Sequence, residues 1–315
     1  MVGYFSDSYE NVAKLVESIC TNRGEKSLIE EVKEDLSEYA LGPAAITWGC
    51  LNDKPDERDH LFSTKAEEVS GKTEGSAKVQ YLDLETKIPD KIDWRKFASK
   101  PENQYHLGSC TANAVIGAYE LLWKRRKKGS YQDLSKLFAY YNARSQENKR
   151  ADNGATIRDA LKAASYFGVC LESTVPYDTS KWWMEPPKAA YDEAMSHKVT
   201  RYIRCNSPKE VKISLAQGFP VVAGFKIFES FNQARDIGFV PVPNPYTEAS
   251  LGGHAMCLVG YDMSLSGIWK GKPFFIVRNS WGVEWGDHGY CFIPFAYFDL
   301  GLVFDMWSLR THMDF

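Results

Sequence analysis

The hydrophobic pattern changes its period part-way along the chain, and this change limits the fold more than any other feature. Between residues 109 and 217, apolar residues recur at helical spacing in segments that end at or before glycine. After residue 220 they form short runs rich in β-branched and aromatic residues, which is typical of strands. Helices followed by strands predict an α+β protein with a helical lobe and a β lobe. A cleft between two lobes is a common place for a site.

The same patterns give the individual elements and their caps. Ser109, Ser135 and Thr156 each precede a helical run and are expected to cap it. We predict helices over residues 110–128, 134–147, 156–167 and 207–217, and strands over residues 221–228, 254–261, 274–278 and 290–295.

The N-terminal part of the chain has a different texture. Residues 1–42 predict two short amphipathic helices, which need another surface to pack against. Residues 43–87 carry Pro, Gly and a charged run with little periodicity, so they predict an extended linker. We expect residues 88–315 to form the main domain, with a helical lobe over about 95–200 and a β lobe over 201–315 plus 88–94.

Composition and charge exclude several classes of function. The chain has 315 residues and a net charge of −3, so we expect neither nucleic acid nor membrane as a partner. The seven cysteines are scattered, without a CxxC pair, which argues against a metal site and favours a reducing compartment. We expect no cofactor. With no secretory signal or membrane span in the sequence, we expect a cytoplasmic, virion-associated or non-classically exported protein.

One cysteine stands where a reactive thiol is expected. Cys110 follows Gly108 and Ser109 at the start of a predicted helix, where free backbone N–H groups favour an anion and should lower the thiol pKa. Small neighbours also let a substrate backbone approach closely. Taken alone, the pattern is explained better by a buried and inert cysteine at a helix start.

Two further motifs supply partners for such a thiol. His254 follows Gly252 and Gly253 at the start of a predicted strand. Asn279 ends another strand just before Trp281, and an asparagine there can orient an imidazole while the indole shields their hydrogen bond. Each motif alone also fits a purely structural role, but the three together indicate a Cys-His-Asn site.

These motifs resemble those of the papain-like cysteine proteases, especially the disulfide-poor bacterial and viral branch. Gln104 to Cys110 looks like the family's Gln-x5-Cys, and Ile88-Pro89 with Asp93-Trp94-Arg95 resembles the start of a mature domain. Asn153-Gly154-Ala155, His254-Ala255 and Asn279-Ser280-Trp281-Gly282 resemble its remaining signatures, in the family's order. In the family, the histidine and the asparagine follow the cysteine by about 130–150 residues. The spacing of His254 from Cys110 falls within this range, and that of Asn279 slightly exceeds it.

The resemblance implies a two-lobed fold, with a helical lobe, a β-barrel-like lobe and the active site between them. It implies peptide-bond hydrolysis through an acyl-enzyme, with Cys110 as nucleophile, His254 as acid and base, and Asn279 as the group that orients His254. Gln104 and the Cys110 N–H would bind the oxyanion. The substrate peptide would contact the remaining candidates: Gly108, Ser109, Gly154, Ala155, Gly253 and Trp281.

The family resemblance also implies a role for the N-terminal segment. Family members are commonly made as zymogens, so residues 1–87 are expected to inhibit the site, with Cys20 or Cys50 near it. A stable accessory subdomain is the alternative. Two other functions stay open on the same fold: an acyl transferase or amidase, and a binding scaffold without catalysis. Leu107, Thr111 and Ala155 depart from the family pattern, which leaves substrate preference open but keeps the catalytic groups.

Overall fold

The computed structural model describes residues 49–62, 88–127, 131–144, 151–264 and 272–311. The helices predicted within residues 1–42 lie outside this part of the chain, as does most of the linker predicted at 43–87. Helices dominate the first part of the described chain and strands the second, as the change in hydrophobic period predicts.

The longer helices match the sequence predictions. The structure has α1 (Cys110–Arg126), α2 (Lys136–Ala143), α3 (Ile157–Tyr166), α4 (Lys188–Ala194), α5 (Pro208–Ala216), α6 (Ala234–Ile237) and α7 (Ala296–Asp299). The first three and α5 confirm the predicted helices. The hydroxyl oxygens of Ser135 and Thr156 accept the backbone N–H of Phe138 and Asp159, which confirms both as caps. Ser109 occupies the cap position of α1 but makes no capping bond there.

Most strands of the β part form one antiparallel sheet. The strands are β1 (Cys50–Leu51), β2 (Lys91–Asp93), β3 (Ala155–Thr156), β4 (Val199–Cys205), β5 (Val221–Phe228), β6 (Ser250–Asp262), β7 (Phe274–Arg278), β8 (Tyr290–Pro294) and β9 (Val303–Thr311). The order is β4–β9–β5–β6–β7–β8, and β2 pairs with β6. The α+β class is confirmed. Among the described residues β4 and β8 do not pair with each other, so the sheet is open and forms no closed barrel.

Both faces of this sheet are covered, because successive residues of a strand point to opposite sides. Ala255 and Cys257 of β6 belong to a buried cluster that includes α1. Met256 and Leu258 belong to a second cluster, which includes residues of α5. Since α1 packs directly on β6, the first turn of α1 lies close to the part of β6 that carries His254.

The cysteines of the described chain are free thiols. All six of them are buried and none forms a disulfide. Cys257 and Cys291 are fully buried within apolar clusters, where they pack as small core residues. None of the helices within the described ranges combines the length and apolarity needed to cross a bilayer.

A buried ion pair ties α1 to α2. The Lys136 ammonium lies 2.9 Å from a carboxylate oxygen of Glu120, and the two side chains are 2% and 0% exposed. The same carboxylate accepts hydrogen bonds from the Leu134 backbone N–H and from the Ser99 hydroxyl. Arg278 also donates to that hydroxyl, so the network reaches β7, the strand that ends next to Asn279.

Replacing Lys136 with methionine should destabilise the protein by about 3–5 kcal/mol, because it leaves the Glu120 carboxylate buried without its cation. The free energy of unfolding from urea titration measures this. Lys188→Met is the matched control: it breaks an ion pair with Asp192 in which both side chains are exposed, so little change is expected. A loss no larger in Lys136→Met than in the control would contradict the prediction.

Candidate active site

Cys110 is the first residue of α1 and is completely buried. The backbone N–H of Ala255 on β6 is directed at its sulfur, together with the N–H groups of Thr111 and of Cys110 itself. The helix start therefore places the thiol against β6, one residue from His254. The order of the sequence motifs predicts that Cys110 and His254 lie close together. The contact of Cys110 with β6 results from the packing of α1 on the sheet.

His254 and Asn279 form the hydrogen bond that the motifs predict. The distance between His254 Nε2 and Asn279 Oδ1 is 2.8 Å. The backbone N–H of Ser280 donates to the same oxygen at 2.8 Å, which fixes the orientation of the amide. Because an amide oxygen only accepts hydrogen bonds, Nε2 carries the hydrogen and Nδ1 is the basic nitrogen of the neutral ring.

Trp281 covers this hydrogen bond. Its ring stacks on the imidazole of His254 with 4.9 Å between ring centroids and 22° between planes. Phe231 and Trp285 pack against the indole in turn, at 5.7 Å and 5.1 Å. The aromatic cover keeps water away from the bond between His254 and Asn279, which strengthens it in a medium of low polarity.

Gln104 is held by the same segment that carries Asn279. Its side-chain oxygen accepts a hydrogen bond from the Ser280 hydroxyl at 2.5 Å, and its backbone N–H donates to the Ser280 carbonyl. Its side-chain nitrogen donates to the Leu107 carbonyl at 2.8 Å, within the turn that leads to Cys110. The fixed amide thus joins the loop before the nucleophile to the strand end that orients the histidine.

Two residues that support the nucleophile loop were missed from the sequence. The hydroxyl of Ser109 lies 2.6 Å from that of Tyr177, which also donates to the Gln104 carbonyl. Asp152 accepts the backbone N–H of Gly108 at 3.0 Å. Asp152 directly precedes the Asn153-Gly154 motif and could have been noticed there, whereas nothing in the sequence marks Tyr177. Ser109, a candidate for substrate binding, uses its hydroxyl inside the protein.

Residues 49–51, the start of the described segment 49–62, occupy the groove between the candidate substrate-binding residues. Strand β1 runs parallel to β3, and the Ala155 N–H donates to the Gly49 carbonyl at 3.0 Å. A Cβ atom placed on Gly154 would lie 2.2 Å from that carbonyl oxygen, and one placed on Gly253 would lie 2.5 Å from the Cys50 oxygen. Only glycine permits such an approach, so these positions are shaped for a peptide backbone.

Cys50 lies in the same buried cluster as Cys110. Gly49, next to it, contacts the backbone of Gly108 closely enough that a Cβ there would stand 2.3 Å from the Gly108 oxygen. The structure therefore places Cys50 near the candidate nucleophile, as was expected for either Cys20 or Cys50. Cys20, the other, lies outside the described residues.

Burial sets the ionisation of the two candidate catalytic groups. It raises the pKa of the Cys110 thiol to about 12, although the N–H groups of Ala255 and Thr111 act in the opposite direction. It also lowers the pKa of His254 to about 4, against the effect of the hydrogen bond to Asn279. Both groups are neutral at pH 7, which differs from the lowered thiol pKa expected at a helix start, because exclusion of water outweighs the N–H groups.

Comparison with known proteins identifies the family. The model of the papain family of cysteine proteases matches residues 88–296. The chain belongs to the papain family. It is a cysteine-type peptidase with the papain-like fold.

Within the described residues, no group of three or more His, Cys, Asp or Glu side chains is placed to hold a metal ion.

The similar proteins include viral, bacterial and plant members. An uncharacterised peptidase C1-like protein of Acanthamoeba polyphaga mimivirus is 36% identical over 287 residues, 85% of this chain and 88% of that protein. Xylellain, a cysteine protease from Xylella fastidiosa, gives a TM-score of 0.70 at 28% identity, over 86% of this chain and 98% of that one. The ragweed pollen cysteine protease Amb a 11, solved in its proform, shares the fold with a TM-score of 0.58 at 24% identity, over 75% of this chain and 70% of that one.

The intact chain should react slowly with iodoacetamide at Cys110. A thiol with a pKa of about 12 is almost entirely protonated at pH 7, and the thiolate is the reactive form. We expect labelling at least about tenfold slower than that of the same cysteine in the urea-unfolded chain, measured by peptide mass spectrometry. Equal rates in the two states would show that the thiol is neither buried nor protonated as described.

Proposed function

We propose that Cys110, His254 and Asn279 form the catalytic site through which this protease hydrolyses peptide bonds. The observation that carries the proposal is the hydrogen bond between His254 and Asn279, which Trp281 covers. His254 lies on β6, the strand that meets the first turn of α1 at Cys110. Membership of a family of cysteine proteases supports it, because that chemistry needs an accessible thiol, a base and a group that orients the base.

In the proposed reaction, water access to the opened cleft lets the thiol proton pass to His254, giving a thiolate beside an imidazolium. The Cys110 sulfur attacks the carbonyl carbon of the substrate, and the negative oxygen is held by the Gln104 side chain and the Cys110 N–H. His254 returns the proton to the leaving amine, which leaves a thioester. Water, deprotonated by His254, then releases the acid and restores Cys110.

We also propose that residues 1–87 inhibit the site until they are displaced, and that residues 88–315 are the peptidase domain, with its helical lobe over about 95–200. The position of Gly49 and Cys50 across Gly108, Gly154 and Gly253 supports this, since no second peptide strand fits in the same place. The proform of the ragweed protease, which shares the fold, is consistent with such a segment.

The ionisation of the closed site agrees with inhibition. While the segment lies over the cleft, the thiol and the imidazole are both neutral at pH 7, so the reactive ion pair is absent. Displacement of the segment admits both the substrate and the water that stabilises the charged pair. The segment would thus block the enzyme sterically and electrostatically at the same time.

Substitutions at the three catalytic residues test the site. Cys110→Ser and His254→Ala should each lower kcat/KM on a peptide substrate by at least about 1000-fold, since the nucleophile and its base act as a unit. Asn279→Ala should lose less, because it only orients the ring. Once the segment has been displaced, epoxide labelling mapped by mass spectrometry should mark Cys110. Substantial activity in Cys110→Ser would point to another nucleophile.

Weakening the anchors of the segment should activate the intact chain. The double variant Asp53→Asn, Asp59→Asn removes two carboxylates that hold residues 49–62 to Arg158. We expect Cys110 labelling and peptide cleavage to rise by at least about tenfold before any cleavage of the chain, as a buried charge pair is lost.

The control for this experiment is Asp56→Asn, which neutralises one carboxylate of the same segment, against two in the double variant. Asp56 mainly pairs with Arg58, an exposed neighbour, so it should matter little. Intact mass should be followed during incubation at mildly acidic pH. If activity appears in the parent chain with no loss of the N-terminal residues, and the double variant behaves as the control does, the segment is an accessory subdomain instead of an inhibitor.

A further inference from the structure

Beyond the catalytic groups, three side chains form a compact site for carboxylates where α3, β4 and β9 meet. Arg158 is the second residue of α3 and Arg204 lies on β4. Trp307 lies on the neighbouring strand β9, where it is the register partner of Arg204. The two guanidinium carbons lie 5.5 Å and 5.3 Å from the centre of the indole ring. We call these three residues the arginine–tryptophan cluster.

In the structure, the chain's own Asp53 occupies this cluster. One carboxylate oxygen accepts the backbone N–H of Arg158 at 3.1 Å, and the other accepts the indole N–H of Trp307 at 2.7 Å. A guanidinium nitrogen of Arg204 lies 3.7 Å from the second oxygen. The Asp53 side chain is 0% exposed, so all of its solvation comes from the protein.

Asp59 fills the rest of the cluster. Its two oxygens accept the Nε and Nη2 hydrogens of Arg158, the first at 3.0 Å, in the paired geometry that suits a carboxylate. Arg204 donates to it as well, at 3.4 Å. All the side-chain hydrogen bonds that the described structure gives Arg158 go to residues 54 and 59 of the segment.

Without the segment the cluster carries excess positive charge. Asp305 pairs with Arg204 at 2.5 Å and belongs to the peptidase domain, so it stays. Two guanidinium groups then face one carboxylate, beside an indole N–H. Arg158 is only 6% exposed with the segment in place, because oxygen atoms of residues 54 and 59 surround its guanidinium.

The cluster lies within reach of a peptide in the cleft. Cys50 pairs in register with Ala155, beside Gly253 and Cys110, and Asp53 follows three residues later. At about 3.3 Å per residue, an extended chain covers that interval in about 10 Å. A substrate strand that replaces β1 can therefore place a side chain in the cluster three residues from the one that pairs with Ala155.

We propose that the arginine–tryptophan cluster is a substrate subsite that binds the carboxylate of an Asp or Glu side chain, and that Asp53 and Asp59 occupy it in the closed form as stand-ins for substrate. The inference rests on the proposed displacement of residues 1–87. The enzyme then selects peptides with an acidic residue at one position, on the side of the cleft formed by β3 and α3.

The test uses pairs of fluorogenic peptides that differ only by Glu or Gln at one position, and this position is moved along the peptide from pair to pair. The enzyme is produced as the full-length chain and activated by incubation at mildly acidic pH. One position should show a kcat/KM ratio of Glu to Gln of at least about ten, falling as salt is added. Arg158→Gln should bring that ratio to about one. Using the ratio within each enzyme removes any effect of the substitution on displacement of the segment. Arg126→Gln, an exposed arginine at the end of α1, is the control and should keep the ratio.

A binding measurement keeps the test independent of turnover. The full-length chain with Cys110→Ala, Asp53→Asn and Asp59→Asn leaves the cluster without its own carboxylates, and calorimetry gives the affinities of the best Glu peptide and its Gln partner. At least about tenfold tighter binding of the Glu peptide supports the proposal. A ratio near one at every position, a ratio that Arg158→Gln leaves unchanged, or equal affinities overturn it. Failure of Cys110 to react with the epoxide in the activated enzyme, which keeps the cysteine, would instead count against the catalytic proposal.

Discussion

The first turn of α1 packs against β6, so that the sulfur of Cys110 meets the backbone N–H of Ala255, one residue from His254. This contact joins the helical part of the molecule to the sheet. The groups on its two sides come from segments far apart in the chain, and each is fixed by further bonds: Gln104 and Asp152 hold the turn before α1, while Asn279 and Trp281 hold the imidazole. A small displacement of α1 on the sheet would separate the Cys110 thiol from His254 without disturbing either support.

Local patterns in the sequence explain why much of this arrangement was predictable. The caps of α2 and α3, the strands β5 and β7 and the pairing of His254 with Asn279 follow from residues close in sequence or from motifs in a known order. Strands β4 and β9 were missed because they lack apolar runs: Arg204, Asp305 and Arg310 interrupt them. Asp305 is tolerated in the largely buried strand β9 because Arg204, distant in sequence, neutralises it.

The ionisation of Cys110 and His254 could not be predicted from the sequence for a related reason. A helix start favours a thiolate, but burial removes water from both Cys110 and His254 and leaves them neutral. Which effect prevails depends on what packs over these side chains, and residues 49 and 50, distant in sequence, are part of that packing. The ionisation of these two side chains is thus set by what packs around them as well as by the helix and strand that carry them.

The bond between Asp53 and Arg158 has one more consequence, for the helix itself. The Arg158 N–H belongs to the first turn of α3, where backbone N–H groups have no partner within the helix, and the Asp53 carboxylate lies at the positive end of the helix dipole. The segment therefore completes a helix terminus of the domain it covers. Its departure should leave that turn prone to fraying, with faster amide hydrogen exchange there than in the rest of α3, so that gaining an open cleft also means losing local order at its edge.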